Sequence, residues 1–92
     1  MGMTAARHAR DCVEIAEQVV AMEALCAAQA LDLRSPLAPG ASSAASLASI
    51  RESVPFLSED RELGDDIAAV TALVREGGLA ARAREAVVGD LL

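Results

Sequence analysis

Apolar and polar positions follow a helical period along the first third of the chain. Residues 3 to 33 contain no Gly or Pro and are rich in Ala, Leu, Glu, Gln and Arg, which favour helix. At 100° per residue the polar side chains fall on one side, which comprises Arg7, Arg10, Asp11, Glu14, Glu17, Gln18, Gln29 and Asp32. The apolar side comprises Cys12, Val13, Ile15, Ala16, Val19, Val20, Cys26, Ala27, Ala30 and Leu31. The pattern predicts one helix from Met3 to Leu33, with Thr4 as N-cap, that stops near Arg34 because Pro36 cannot continue it.

A second helix is predicted after a connector at residues 35–41. Ser42 or Ser43 can cap it, and it runs to about Ser53 before Pro55 ends it. Phe56 and Leu57 are then expected to form a buried corner. Ser58, followed by Glu59 and Asp60, has the pattern of a capped short turn, with acids at the positive helix end.

Two further helices are predicted near the end of the chain. Gly64, Asp65 and Asp66 cap a helix from Ile67 to Arg75, which Gly77 and Gly78 end by left-handed capping. The last helix runs from Leu79 to Val88 and ends at Gly89.

No segment has the period of a strand, so the predicted fold class is all-α. It consists of one long N-terminal helix followed by three or four shorter helices. We treat residues 1–92 as a single helical segment, with 1–34 as the long bundle helix, 35–41 as a linker and 42–92 as a short-helix tail.

Charge and composition exclude several kinds of partner. The net charge is −6 and all eight cations are Arg, so the chain has no basic patch for nucleic acid or an anionic membrane. Residues 35–50 are uncharged but carry Pro and Ser, so no transmembrane span is predicted. Acids follow Arg7 and Arg10, which argues against a secretory signal and makes the cytoplasm the expected compartment.

Because 21 residues are Ala and only one is aromatic, we expect close-packed helices and a partner.

Few side chains suggest chemistry. His8, on the border of the apolar side, is expected to be structural, since no nucleophile is fixed beside it. Cys12 and Cys26 are fourteen residues apart, about 21 Å along a helix, so they can share neither a disulfide nor a metal and are expected to be buried small hydrophobes.

Glu23 lies on the apolar side and therefore needs an ion pair, or a donor on another helix; a functional role in a larger assembly is the alternative. The acids at 59–62 and 65–66 could serve a cation site or acid–base work, but helix capping explains them better. No known catalytic or phosphate-binding motif occurs, so we predict no catalytic, cofactor-binding or metal-binding residue in this chain.

Two stretches carry a family resemblance. The opening MGMTAARHARDCVEIAEQVVAMEALCAAQALDLRSPLAPG resembles the late central helix and following turn of bacterial histidine ammonia-lyases. The later RESVPFLSEDRELGDDIAAVTALVREGGL resembles the C-terminal tail of the same family, the aromatic amino acid lyases and aminomutases. The resemblance spans about Met1 to Leu79 and is most specific in AAQALDLR, at residues 27–34, and VPFLSEDR, at residues 54–61. Residues 41–50 match weakly.

The resemblance implies an all-helical, usually tetrameric enzyme that eliminates ammonia from an aromatic amino acid. Its electrophile is a methylidene-imidazolone formed from Ala-Ser-Gly, and its base is usually a Tyr. This chain has neither Ala-Ser-Gly nor any Tyr, so we expect no cofactor in it. The resemblance places the family's catalytic residues before Met1, and it gives Glu23, Pro55, Phe56, Asp60 and Arg61 scaffold roles.

Three hypotheses follow. The chain is a C-terminal part or subunit of a histidine ammonia-lyase-like enzyme, inactive alone, that complements a longer lyase chain and helps convert L-histidine to urocanate. Alternatively, it is a non-catalytic helical module or truncated lyase relic that self-associates through the apolar side of its first helix. A free-standing small enzyme is the third. Histidine is the expected substrate, with phenylalanine, tyrosine and aminomutase chemistry left open.

Overall fold

Four α-helices form the chain in a computed structural model, which describes residues 2 to 91 apart from the side chain of Asp90. They are α1 (Gly2–Leu33), α2 (Ala41–Arg51), α3 (Gly64–Glu76) and α4 (Gly78–Leu91). Residues 2 to 91 contain no strand. The all-α prediction, with one long helix followed by shorter ones, is therefore confirmed.

Helix α1 is 32 residues long and ends where the sequence predicts. It stops at Leu33, and residues 34–36, which include Pro36, form a turn. The N-cap assignment of Thr4 is wrong, because the helix already begins at Gly2. No helix breaker stands at Met3, and a single Gly is tolerated in a helix, so helical backbone extends past the Thr.

Helix α1 packs against the rest of the chain with a side that has few large apolar residues. Ala21 and Ala28 are its buried residues, and both lie in the hydrophobic core with Ile50, Val54 and Val70. We call this side of α1, centred on Ala21 and Ala28, the inner face. It contains part of the side predicted to be polar, including Glu17, Gln29 and Asp32, which are partly buried.

Helix α2 begins after Gly40, which makes no side-chain capping bond. The prediction that Ser42 or Ser43 caps it is wrong, since both lie inside the helix, and the helix ends at Arg51 rather than Ser53. Some of its hydroxyls bond within the helix instead: Ser46 Oγ donates to the Ser42 carbonyl at 3.1 Å, and Ser49 Oγ donates to that of Ala45 at 3.0 Å.

Residues 52–63 connect α2 to α3 without forming a helix. The capped turn predicted at Ser58 is therefore wrong, because residues 58 and 59 form only a bend. The buried corner is wrong for Phe56, which is 38% exposed, and Leu57 is only partly buried. Val54, with 2% exposure, is the residue that anchors this segment in the core.

Glycine controls the junction between α3 and α4. Gly77 has a φ of 76°, the left-handed conformation that Gly adopts without steric cost, and its N–H reaches the Val74 carbonyl at 3.1 Å. The predicted capping at Gly77 is confirmed, and Gly78 starts α4. Gly89 does not end α4, which continues to Leu91, because a Gly with open space around it only weakens a helix.

The helices form two packed pairs, α1 with α3 and α2 with α4. The radius of gyration is 15.5 Å, whereas a compact chain of this length has about 12 Å. The difference comes from α1, whose residues 2–16 are all exposed and project beyond the other helices. None of the described helices is long and apolar enough to cross a membrane.

Candidate interaction site on the first helix

Within residues 2–91, the His and the two Cys lie apart on the surface of α1. His8, Cys12 and Cys26 are all exposed, and both thiols are free. The prediction that the two Cys are buried is wrong. Cys12 lies in the exposed first half of α1, and Cys26 is exposed at the edge of an open groove beside residues 52–63. No group of three or more His, Cys, Asp or Glu within residues 2–91 could hold a metal ion.

Only some of the acids serve the helix ends that were predicted. Asp65 and Asp66 lie in the first turn of α3, where carboxylates favour the positive helix end. Glu59 and Asp60 lie before Leu63, the N-cap of α3, and outside its first turn, so capping does not explain them.

A polar clip joins the 52–63 segment to α1. Gln29 Nε2 donates to the Leu57 carbonyl at 2.9 Å, and the Leu57 N–H donates to Gln29 Oε1 at 3.1 Å. One side chain thereby satisfies both backbone groups of a residue that belongs to no helix. The clip holds the segment against the last turns of α1.

Arg51, the last residue of α2, makes a second attachment to α1. Its Nε donates to Asp32 Oδ2 at 2.8 Å, and its Nη1 donates to the Val54 carbonyl at 3.1 Å. Its Nη2 lies 2.7 Å from the same Asp32 oxygen, but the geometry does not make a hydrogen bond, and no other acceptor in the described chain reaches this buried nitrogen. The guanidinium carbon also lies 5.9 Å from the centre of the Phe56 ring. Arg51 therefore ties α2, α1 and the connecting segment together.

Arg61 closes the connecting segment on itself. Its Nη2 donates to the Pro55 carbonyl at 2.8 Å, and its Nε donates to Asp66 Oδ2 at 3.0 Å. The scaffold role expected for Arg61 therefore has a contact set in the structure: it links the segment to the first turn of α3.

An open groove of about 320 Å³ lies between the last turns of α1 and this segment. Apolar side chains dominate its lining, among them Leu25, Leu33, Val54 and Leu57. Arg51 and Arg61 stand along the same groove. Its shape suits an apolar side chain. Gln29 and Asp66 line it together with the two Arg, and all four side chains bond to other residues of the chain.

Two surface ion pairs add further links, one between α3 and α1 and one between α4 and the start of the 52–63 segment. Arg75 Nε donates to Glu17 Oε2, and Arg82 Nη1 donates to Glu52 Oε1, each at 2.6 Å. The hydrogen bond and charge of Arg82 lower the pKa of Glu52 below its ordinary value of 4.5. In the same way, Glu17 raises the pKa of Arg75 and Glu52 raises that of Arg82.

The side of α1 opposite the inner face is apolar and uncovered. Cys12 and Val19 lie nine residues, or two and a half turns, from Ala21 and Ala28, so the two pairs face opposite directions. We call the side centred on Cys12 and Val19 the outer face. Large apolar side chains on it or flanking it are exposed: Val13 by 57%, Ile15 by 61%, Val19 by 48%, Val20 by 47% and Met22 by 43%.

Glu23 lies on the outer face, as its helical angle predicts, and it is exposed. No ion pair or hydrogen bond to its carboxylate occurs among residues 2–91. The predicted ion pair is therefore not formed within residues 2–91, and a donor for Glu23 would come from whatever covers the outer face.

Sequence reasoning missed the side chains that hold the fold together. Gln29 and Asp32 were placed on a polar side, and Arg51 received no role. One signal was available, because Arg51 is the only cation between residues 35 and 60, and Gln29 and Asp32 are the polar residues nearest to it in the last turns of the helix.

Comparison with known proteins identifies a family. The family model for aromatic amino acid lyase matches residues 1–52, which is more than half of the chain and contains α1 and α2. No solved structure matches the chain.

Individual relatives extend the match into α3 and α4. The histidine ammonia-lyase of Anaeromyxobacter sp. (strain K) is 58% identical over 79 residues, covering 86% of this chain and 16% of the relative. Those of Myxococcus xanthus and Gloeobacter violaceus are 48% identical over 86 residues and 47% identical over 91 residues, covering 17% and 18% of the relatives. The chain therefore spans about one sixth of the length of these curated relatives. By the match over α1 and α2, it belongs to the aromatic amino acid lyase family.

Proposed function

We propose that this chain is a C-terminal scaffold part of a histidine ammonia-lyase-like enzyme, inactive alone, that completes a longer lyase chain. The assembled enzyme eliminates ammonia from L-histidine to give urocanate. The C-terminal placement rests on the resemblance of residues 51–79 to the family's tail. The choice of histidine rests on relatives named histidine ammonia-lyase, which are 47% to 58% identical to this chain.

The observation that carries the proposal is the two-sided character of α1. A helix with apolar residues on opposite sides is typical of the interior of a large protein. Here the inner face is covered by α3 and the core, while the outer face is open to solvent. The longer lyase chain is proposed to cover the outer face.

The electrophile of the family does not fit this chain. Its precursor, Ala-Ser-Gly, is absent: Ala41-Ser42, Ala45-Ser46 and Ala48-Ser49 are followed by Ser43, Leu47 and Ile50. In the groove beside the 52–63 segment, Gln29, Arg51 and Arg61 are already bonded to other residues of this chain. The longer chain must therefore supply the methylidene-imidazolone and the base, and no catalytic step is assigned to the residues of this chain.

The test is complementation of a truncated relative. The histidine ammonia-lyase of Anaeromyxobacter sp. (strain K), deleted for the segment that matches this chain, is expressed with and without the chain. We expect the two polypeptides to co-purify, and urocanate to form only when both are present. L-Phenylalanine and L-tyrosine, tested in the same assay, should give less product than L-histidine.

A charged substitution on the outer face supplies a control. Val19→Asp should abolish co-purification and activity, whereas Gln18→Asp, which adds the same charge at an adjacent exposed position, should leave both intact. Circular dichroism checks that both variants remain helical. Full activity of the truncated lyase alone, or failure to co-purify with the wild-type chain, would contradict the proposal.

The alternative function is a self-associating module without catalysis. It is favoured by the same uncovered outer face, which two copies could cover mutually. Sedimentation of the purified chain separates the alternatives: a stable homo-oligomer that does not exchange with the truncated lyase supports the module.

A further inference from the structure

The outer face has the spacing of a helix-pairing seam. Its positions advance by alternating steps of four and three residues, which is the 3.5-residue repeat along which two helices pack. The seam consists of residues Ala5, Ala9, Cys12, Ala16, Val19, Glu23, Cys26 and Ala30, all of which are exposed. The seam runs along most of α1, and its last two members, Cys26 and Ala30, also line the open groove beside the 52–63 segment.

The seam is shaped for close approach of one helix. Apart from Val19 and Glu23, its members are Ala or Cys, so a facing backbone can come near. Larger apolar side chains flank it, with Ile15 and Met22 on one border and Val20 on the other. This arrangement gives a shallow channel with apolar walls, which fits a helix of similarly small residues.

The surplus surface of the chain is large enough for a stable interface. The accessible surface is 6545 Å². A folded monomer of 9.4 kDa has about 5,000 Å², which leaves about 1,500 Å² of surplus. A standard interface buries about 800 Å² per partner. One helix along the seam, with neighbouring chain beside it, accounts for an area of this size.

Glu23 sets the chemistry of the partner. It is the only charged residue in the seam, and burying its carboxylate without a donor would be costly. An Arg or Lys on the facing helix would compensate the charge of Glu23. A facing helix without such a residue would bury the carboxylate unpaired and would therefore bind weakly. The seam thus accepts helices that bring a cation to this one level.

A second copy of the chain does not meet this requirement. In a parallel pair Glu23 would face Glu23 of the second copy, and like charges repel. In antiparallel pairs that keep seam on seam, Glu23 would face an Ala, a Cys or Val19, none of which is a cation. Each copy also carries a net charge of −6, which adds repulsion.

We propose that the outer face docks one helix of a separate lyase chain that places an Arg or Lys opposite Glu23, and that Glu23 disfavours self-pairing. The inference rests on the proposed function for the identity of the partner. It adds the docking surface, the small-residue character of the facing helix and the position of its cation.

Charge reversal within this chain tests the docking without any lyase. The Glu23→Arg variant presents the same seam with a cation at the same level, so a parallel mixed pair joins Glu23 to the new Arg. We expect the mixture of wild type and Glu23→Arg to form a mixed dimer at least about tenfold tighter than either protein alone, as close charge pairs at interfaces allow. Sedimentation velocity measures the dimerisation affinity of the wild type alone, of Glu23→Arg alone and of their mixture.

Glu14→Arg is the matched control. Glu14 lies nine residues from Glu23, on the opposite side of α1, and it is also exposed, so the same change of charge occurs away from the seam. It should give no gain in mixed pairing. Equal pairing by Glu14→Arg, a wild-type homodimer as tight as the mixture, or no mixed dimer up to the solubility limit would overturn the inference.

The two proposals can fail independently. If complementation yields urocanate but the charge-reversed mixture does not pair, the docking inference falls and the proposed function stands. If the mixture pairs but the truncated lyase is not complemented, the seam binds a cationic helix and the lyase role falls.

Discussion

Gln29 and Leu57, twenty-eight positions apart, exchange two hydrogen bonds that fasten the 52–63 segment to α1. Gln29→Ala would leave the Leu57 N–H and carbonyl without their partners in a half-buried place. We expect the free energy of unfolding to fall by about 1–3 kcal/mol. Urea denaturation followed by circular dichroism measures it. Gln18→Ala, on the exposed surface of the same helix, should change it by less than about 0.5 kcal/mol.

Arg51 and Asp32 should prove energetically coupled. Their side chains are 20% and 31% exposed, so solvent screens the pair only in part. A double-mutant cycle with Arg51→Ala and Asp32→Ala should give an interaction energy of about 1 kcal/mol. The same cycle for Arg82 and Glu52, which are 47% and 58% exposed, should give a smaller one. Additive effects of Arg51→Ala and Asp32→Ala would show that the attachment contributes little.

Two glycines should respond oppositely to Ala. Gly77 has a positive φ, so Gly77→Ala should cost about 1 kcal/mol or more in the free energy of unfolding. Gly89 lies within α4 with no atom near its missing Cβ, so Gly89→Ala should stabilise by up to about 0.5 kcal/mol. Urea denaturation measures the change in the free energy of unfolding for each variant. A Gly77→Ala variant more stable than the wild type would refute the left-handed conformation of Gly77.

Stability should fall on the acid side partly through Glu52. Because Arg82 lowers the pKa of Glu52 in the folded chain, the unfolded chain binds the proton more readily. The contribution of this carboxylate is therefore present above about pH 4.5 and is lost as pH falls through the lower folded-state pKa. Below that pH, the melting temperature of the Glu52→Gln variant should depend less on pH than that of the wild type. The difference should shrink in high salt, since the pair is exposed. If the variant and the wild type show the same change of melting temperature with pH, the Arg82–Glu52 ion pair does not form in solution.

Both thiols should react readily in the isolated chain. Cys12 and Cys26 are exposed and lie on the outer face, so iodoacetamide should alkylate them at rates near those of the urea-unfolded chain. Adding the truncated lyase should protect both together. Slow alkylation of the lone chain would instead indicate that copies cover each other's outer face.

The helices were predictable because their signals are local. Pro36, Gly77 and the long run of helix formers act on the backbone beside them, and α1 and α3 end within a residue or two of the expected positions. The first residue of each helix was harder to predict from the sequence. Thr4, Ser42 and Ser43 are residues of a type that can cap a helix, but each lies inside a helix that begins earlier in the chain.

The direction in which α1 packs was not predictable from its periodicity. The large apolar residues, such as Ile15 and Val19, indicate one side as the core, yet the chain buries Ala21 and Ala28 on the other. Small residues suit close contact with α3, while Gln29 bonds to Leu57 and Asp32 bonds to Arg51 of α2. Cys12 and Cys26 were consequently assigned to a core that this chain does not build. Periodicity finds apolar sides, but it cannot tell which of two is covered within one polypeptide.

Every residue from 2 to 16 is exposed, so no packing holds the first four turns of α1 when their backbone hydrogen bonds break. An isolated helix of about fifteen residues is marginal in water. These turns should therefore open and close by themselves, and their amide protons should exchange with solvent far faster than those around Ala28. Association along this half of α1 would then also be a folding step. Its enthalpy and its temperature dependence would include those of winding the helix, and part of the contact energy would be spent on ordering the backbone.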